Sequence, residues 1–223
     1  MEVWRQNKGE ERMKLENYLA ETFPNLVLRS AVFYSWEVGV RYELGVMKEN
    51  DTTITYLQGV YNRAIALFHA LHLLDDEVYI VIDVNDYADG KTFKRKLNIF
   101  APYVKKKEDL YRVHHQTIPY VYPEDNEEGL YKTHRFTLRC RPSDIRYVQM
   151  IQAICNQDMG MRPKLYHCVY FINRKNDTIF HVYDDRGCDV IATSTETIRY
   201  VYDTYNEWIL DYDRPAIDNV FNR

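Results

Sequence analysis

A chain of 223 residues that is 46% hydrophobic and 14% aromatic has ample material for a core, which excludes disorder as a description of the whole. Its net charge of −4 argues against a general nucleic-acid binder, because such proteins rest on an excess of positive charge. No apolar run approaches membrane-spanning length, and the opening residues Met1 to Lys8 lack the apolar stretch of a secretory signal, so a cytoplasmic protein with no membrane partner is expected.

Twenty tyrosines are unusual for this length. Tyr has an apolar body and a polar tip, so it suits a recognition surface as readily as a core edge. Charge is unevenly spread: Lys91, Lys94, Arg95, Lys96, Lys105, Lys106, Lys107 and Arg112 form a basic middle, whereas the chain from Asp177 onward is rich in acids. Solvated faces account for this, and so does steering of a charged partner. Cys140, Cys155, Cys168 and Cys188 contain no C-x-x-C pair and sit in apolar segments. They read as buried reduced thiols rather than a zinc site.

In chain order, residues 8–22 are helix-prone, with Met13, Leu15, Tyr18 and Leu19 as an apolar stripe stopped by Pro24. Residues 27–33 read as a strand. Residues 33–45 then alternate, with Val38, Val40, Tyr42 and Leu44 on one face and Gly39, Arg41 and Glu43 on the other, the pattern of a half-buried strand. Asp51 is placed to cap a long helix reaching about Leu74. Val78 to Val84 is a continuous apolar run, expected inside a sheet. Residues 91–104 suggest a basic helix with Phe93, Leu97 and Phe100 inward. A Tyr-rich stretch, 111–122, and an alternating strand, 132–140, flank an acidic loop at 123–129.

Ser143 is expected to cap a helix to about Asn156, ended by a turn at Gly160. Residues 168–172, 178–183 and 189–193 read as a meander. Thr193 and Glu196 resemble a capping box for a final helix presenting Ile198, Val201, Tyr202, Tyr205, Trp208, Ile209 and Tyr212 on one face. The order predicts an α+β fold: a mixed, mainly antiparallel sheet packed by several helices, with a C-terminal β-meander followed by an amphipathic helix. Two units are suggested, 1–130 and 131–223, with one continuous domain as the alternative.

The chemistry-bearing stretch is Asp184-Asp185-Arg186-Gly187, between two apolar runs. A tight turn explains it, with Gly187 supplying positive φ and the aspartates accepting from turn amides. It also suits binding: Asp184, Asp185 and Asp189 offer carboxylates facing outward, Arg186 can pair with an anion, and His181 lies beside them. Asp158 and Arg162, in the polar segment that ends a helix, could face the same cleft through an Asp158–Arg186 or Arg162–Asp185 ion pair. The acids have no metal-ligand spacing, so no metal or cofactor is expected. The thiol of Cys188 sits in a negative field that raises its pKa. G-x-S-x-G, P-loop, G-x-G-x-x-G and H-E-x-x-H patterns are absent, which leaves the question of catalysis open.

Five strings, at 33–45, 156–163 (Asn156-Gln157-Asp158-Met159-Gly160-Met161-Arg162-Pro163), 169–173, 179–192 and 205–214, resemble a bacterial family of unknown function, domain-of-unknown-function family three-eight-eight-five. The resemblance covers most of the chain, is strongest from Ser143 onward and weakest over 88–130. It implies a small soluble bacterial protein and brings no activity or catalytic residues with it. The sequence therefore favours a non-enzymatic protein-binding molecule, an immunity or antitoxin-type inhibitor or an adaptor, meeting a partner's basic surface through Asp184, Asp185, Arg186, Asp189, His181, Asp158 and Arg162. The alternative is a small-ligand-, nucleotide- or metal-dependent enzyme with a polar pocket around the same turn.

Overall fold

A computed structural model of the protein describes residues 14–88 and 99–222. Strands β1 (Gly39–Glu43), β2 (Val78–Asp86), β3 (His114–Pro119), β4 (Lys132–Cys140), β5 (Cys168–Asn173), β6 (Thr178–Val182) and β7 (Gly187–Ala192) form one sheet in the order β1-β7-β6-β5-β2-β4-β3. Every pairing is antiparallel. Helices α1 (Lys14–Thr22), α2 (Thr53–Leu71), α3 (Tyr147–Cys155), α4 (Thr195–Thr204) and α5 (Arg214–Phe221) complete an α+β fold. None of the helices among the described residues is long and apolar enough to cross a membrane.

Both faces of the sheet are covered. On the first, Val40, Tyr42, Ile80, Ile82, Phe136, Phe171, Phe180 and Val190 meet apolar side chains of α2, α3, α4 and α5. On the second, Tyr79, Val81, Tyr170, Ile172, Ile179 and Ile191 meet Leu15 and Leu19 of α1 together with Phe23, Leu28 and Val32. This double cover explains the apolar run 78–84: successive side chains point to opposite faces, and both faces are dry. It also corrects the half-buried strand expected at 33–45, since β1 buries Arg41 as well as Val40 and Tyr42, and only Glu43 is exposed.

The strand expected at 27–33 does not form. Ala31 adopts a left-handed backbone (φ 60°) and residues Val32–Ser35 make a 3₁₀ turn, so Leu28 and Val32 are buried from an irregular segment. Two helix caps shift by one residue. The Thr52 side chain, not Asp51, accepts from the amide of Thr55, while Asp51 accepts from that of Lys48. Ser194 rather than Thr193 accepts from the amide of Thr197. Ser143 caps nothing: Pro142–Asp144 is a 3₁₀ turn, and α3 begins beyond it. The C-terminal helix is broken, α4 ending at Thr204 before a 3₁₀ turn at Asn206–Trp208 and α5, which leaves Tyr212 84% exposed. Gly160 takes the expected positive φ, 71°. The positions of Phe93 and Leu97 lie outside the described residues, while Phe100 is buried.

Candidate functional site

The turn joining β6 to β7 holds Asp184-Asp185-Arg186, as its composition suggests, but the acids do not face outward. Asp184, Asp185 and Asp189 are 4%, 6% and 0% exposed. Asp184 accepts from the Arg186 amide at 2.7 Å and from its Nε at 2.9 Å, closing the turn on itself. Asp185 accepts from the Tyr56 hydroxyl of α2 at 2.7 Å. Asp189, on the opposite face of the sheet, holds Arg41 of β1 in a two-point pair, Nε to Oδ1 at 2.7 Å and Nη2 to Oδ2 at 3.0 Å, and also accepts from the Phe33 amide at 3.2 Å. The three carboxylates thus diverge, each serving a neighbour of its own.

The turn is clamped from three directions. The Leu44 amide donates to the Arg186 carbonyl at 2.8 Å, Tyr56 holds Asp185, and the Gln157 side-chain amide donates to the Tyr183 carbonyl. The segment ending α3 is therefore next to the turn, as expected, but through Gln157. Neither the Asp158–Arg186 nor the Arg162–Asp185 ion pair forms, and Asp158 and Arg162 are exposed. Gly187 does not supply a positive φ; it is required by proximity. A Cβ there would lie 2.0 Å from the Tyr183 hydroxyl and 2.7 Å from the Tyr42 carbonyl oxygen.

His181 is fully buried, contrary to its expected place on a binding surface. Its Nδ1 meets the Val169 carbonyl at 2.8 Å and its ring stacks on Tyr170 with centroids 4.5 Å apart. Among the described residues, its Nε2 has no hydrogen-bond partner. The same face carries a second buried pair, Arg135 Nε and Nη2 donating to the two oxygens of Asp83 at 2.8 and 2.6 Å. Burial pushes the Asp83 carboxyl up despite Arg135. Burial also opposes the charge on Arg41, but the hydrogen bonds and charge of Asp189 more than offset it, and the pKa rises. The Cys188 thiol is pushed well up, by burial first and Asp189 second.

Burial lowers the pKa of His72, to about 4, and also those of His167 and His181. A depressed histidine pKa means the unfolded chain takes the proton first. The stabilisation is therefore complete above the unfolded value of 6.5 and is lost as pH falls from there through 4. His72 alone accounts for roughly 3 kcal/mol over that window. Urea midpoints taken at about pH 7.5 and about pH 4.5 should fall on acidification, and a His72→Leu variant should show a shallower fall. Equal midpoints in the wild type would contradict neutral burial.

What lies open beside the turn is a cleft of about 410 Å³ lined by Ser30, Ala31, Arg41, Glu43, Gly45, Tyr183, Arg186 and Leu210. Of the residues expected to bind, only Arg186 lines it, with a side chain 77% exposed. Arg41 forms its inner wall, its guanidinium 4.5 Å from the Tyr34 ring, 5.4 Å from Tyr183 and 5.6 Å from Phe33. Tyr34 is itself held by Asp213, its hydroxyl donating at 3.0 Å. Sequence patterning placed Arg41 on a polar face and missed its role. The available signal was a charged residue flanked by the apolar positions Val40 and Tyr42.

A family described as a domain of unknown function, DUF3885, matches residues 15–213. An uncharacterized protein, YnaE, of Bacillus subtilis strain 168 is 31% identical over 211 residues, covering 90% of this chain and 99% of that protein. No solved structure matches. All seven strands and the whole lining of the cleft fall inside the matched span, and the chain belongs to the DUF3885 family.

Proposed function

We propose that the protein is a cytoplasmic binding protein, of the inhibitor or adaptor kind, whose recognition element is the Arg41–Tyr183–Arg186 cleft. One observation carries this reading: two guanidiniums border one cleft, each oriented by a carboxylate of its own, Asp189 and Asp184. Donors fixed before binding cost little ordering entropy when a partner arrives. The exposed side chain of Arg186 then supplies the rim, with the buried Asp184 and Asp189 holding the two guanidiniums from behind; Asp158 and Arg162 are exposed outside the lining. All four cysteines are free thiols, in keeping with a reducing compartment.

The test is comparative. A protein partner cross-linked to the wild type in the producing bacterium should be lost from an Arg186→Ala variant whose melting curve still shows one cooperative transition. Recovery of the same partner by both proteins would refute a role for the cleft. A second reading is a small-ligand enzyme using the same cleft; behind it, on the sheet face that also carries Arg41 and Asp189, the Nε2 of His181 is unpartnered among the described residues. Thermal-shift screening with nucleotides and divalent cations separates the two: one compound raising the midpoint by several degrees favours the enzyme.

A further inference from the structure

The charges around the cleft define what it takes. Arg41 and Glu43 are two residues apart on β1, so they project from the same side of the strand with Cα atoms about 7 Å apart. Their cross-strand partners differ. Opposite Arg41 stands Asp189, which neutralises it; opposite Glu43 stands Gly187, which has no side chain to cover it. Arg63 donates to the Glu43 backbone carbonyl at 2.9 Å, and the Glu43 carboxylate itself forms no ion pair with any described residue. Arg186, the other cation of the lining, is neutralised by Asp184.

The cleft therefore presents directed N–H donors at two guanidiniums whose charges are already balanced, together with one carboxylate that is not. A phosphate dianion meets donors but brings two negative charges beside the unpaired Glu43 carboxylate. A simple carboxylate meets the donors and is still repelled by Glu43. A ligand with both charges satisfies both ends, its carboxylate on the guanidinium edges and its ammonium on Glu43.

We propose that the cleft binds a zwitterion with a carboxylate and an ammonium group a few ångströms apart, supplied as a free amino acid or as a short peptide bearing both charges. The inference rests on the cleft being the recognition element.

The test is a titration of the isotope-labelled full chain with glycine, L-leucine, a lysine-containing dipeptide, acetate and inorganic phosphate at matched ionic strength. The backbone amides of Gly45, Tyr183, Arg186 and Gly187 are the reporters. The zwitterions are expected to shift these amides saturably and at least about tenfold more tightly than acetate or phosphate, and Glu43→Gln to remove that advantage. Saturation by the amino acids identifies the free form as sufficient. Saturation by the dipeptide alone assigns the site to peptides. Acetate or phosphate binding as tightly as the zwitterions, with no effect of Glu43→Gln, overturns the ligand class but leaves a working cleft. If none of the probes moves the reporters the class is also overturned, and partner capture unaltered by Arg186→Ala would remove the cleft reading with it.

Discussion

Replacing Asp189 by alanine is expected to destabilise the protein by about 3–5 kcal/mol, the cost of leaving a buried charge unpaired. Asp189 has no exposed surface, and Arg41, which it neutralises, is packed among the rings of Phe33, Tyr34 and Tyr183. The substitution also strips the Phe33 amide of its acceptor. Typical domains are stable by about 5–15 kcal/mol, so the loss takes a large share of the total. The pair itself is a different matter, because desolvating both ions offsets most of their attraction. Arg41→Met combined with Asp189→Leu should recover most of the stability of the single variant. Urea denaturation of the three proteins checks this, and a loss below about 1 kcal/mol in Asp189→Ala would show that Arg41 finds water or another partner. The double variant also separates stability from recognition. It keeps the fold and removes the inner guanidinium of the cleft, so its binding should be lost while its melting is not.

The strands were legible in the sequence because their signal is local. Alternation located β1 and β4, and an uninterrupted apolar run located β2. Caps were misplaced by one residue at both α2 and α4, since Asp51 and Thr52, like Thr193 and Ser194, are adjacent capping residues. Which of the two caps depends on where the backbone enters the helix. Residues 27–33 failed for a related reason: an apolar segment packed on a core without alternation need not be a strand, and Ala31 in a left-handed conformation has no warning in its residue type.

The acidic turn shows where local reasoning stops. Its position and its neighbour at the end of α3 were both readable. Strand phasing, however, tells which face a side chain takes and not whether that face is wet. Tyr56 reaches Asp185 from α2, and α1 with the irregular segment after it covers the face that holds Arg41, Asp189 and His181. These covers are distant in sequence. The same fact turns the expected epitope inside out, since the acids support the site and the arginines present it.

The part of the chain from residue 131 onward carries the strongest family strings, and on its own it is expected not to fold. The sheet interleaves the two halves: β2 lies between β4 and β5, and β1 completes the pairing of β7. A fragment of 131–223 leaves β4 with neither β2 nor β3, and turns β5 and β7 into unpaired edges. It also removes α2, which buries Leu57, Val60, Leu67 and Phe68 over the first face of the sheet, each worth about 1.5–3 kcal/mol relative to exposure. The fragment should give a poorly dispersed amide spectrum and no cooperative melting, whereas the full chain should melt in one transition detected equally by tryptophan fluorescence and far-ultraviolet dichroism. Adding residues 1–130 as a separate polypeptide should restore dispersion if the interleaved pairing is what is missing. A fragment with its own sharp transition would instead establish 131–223 as an independent domain, with β2 a later insertion into a sheet already stable without it.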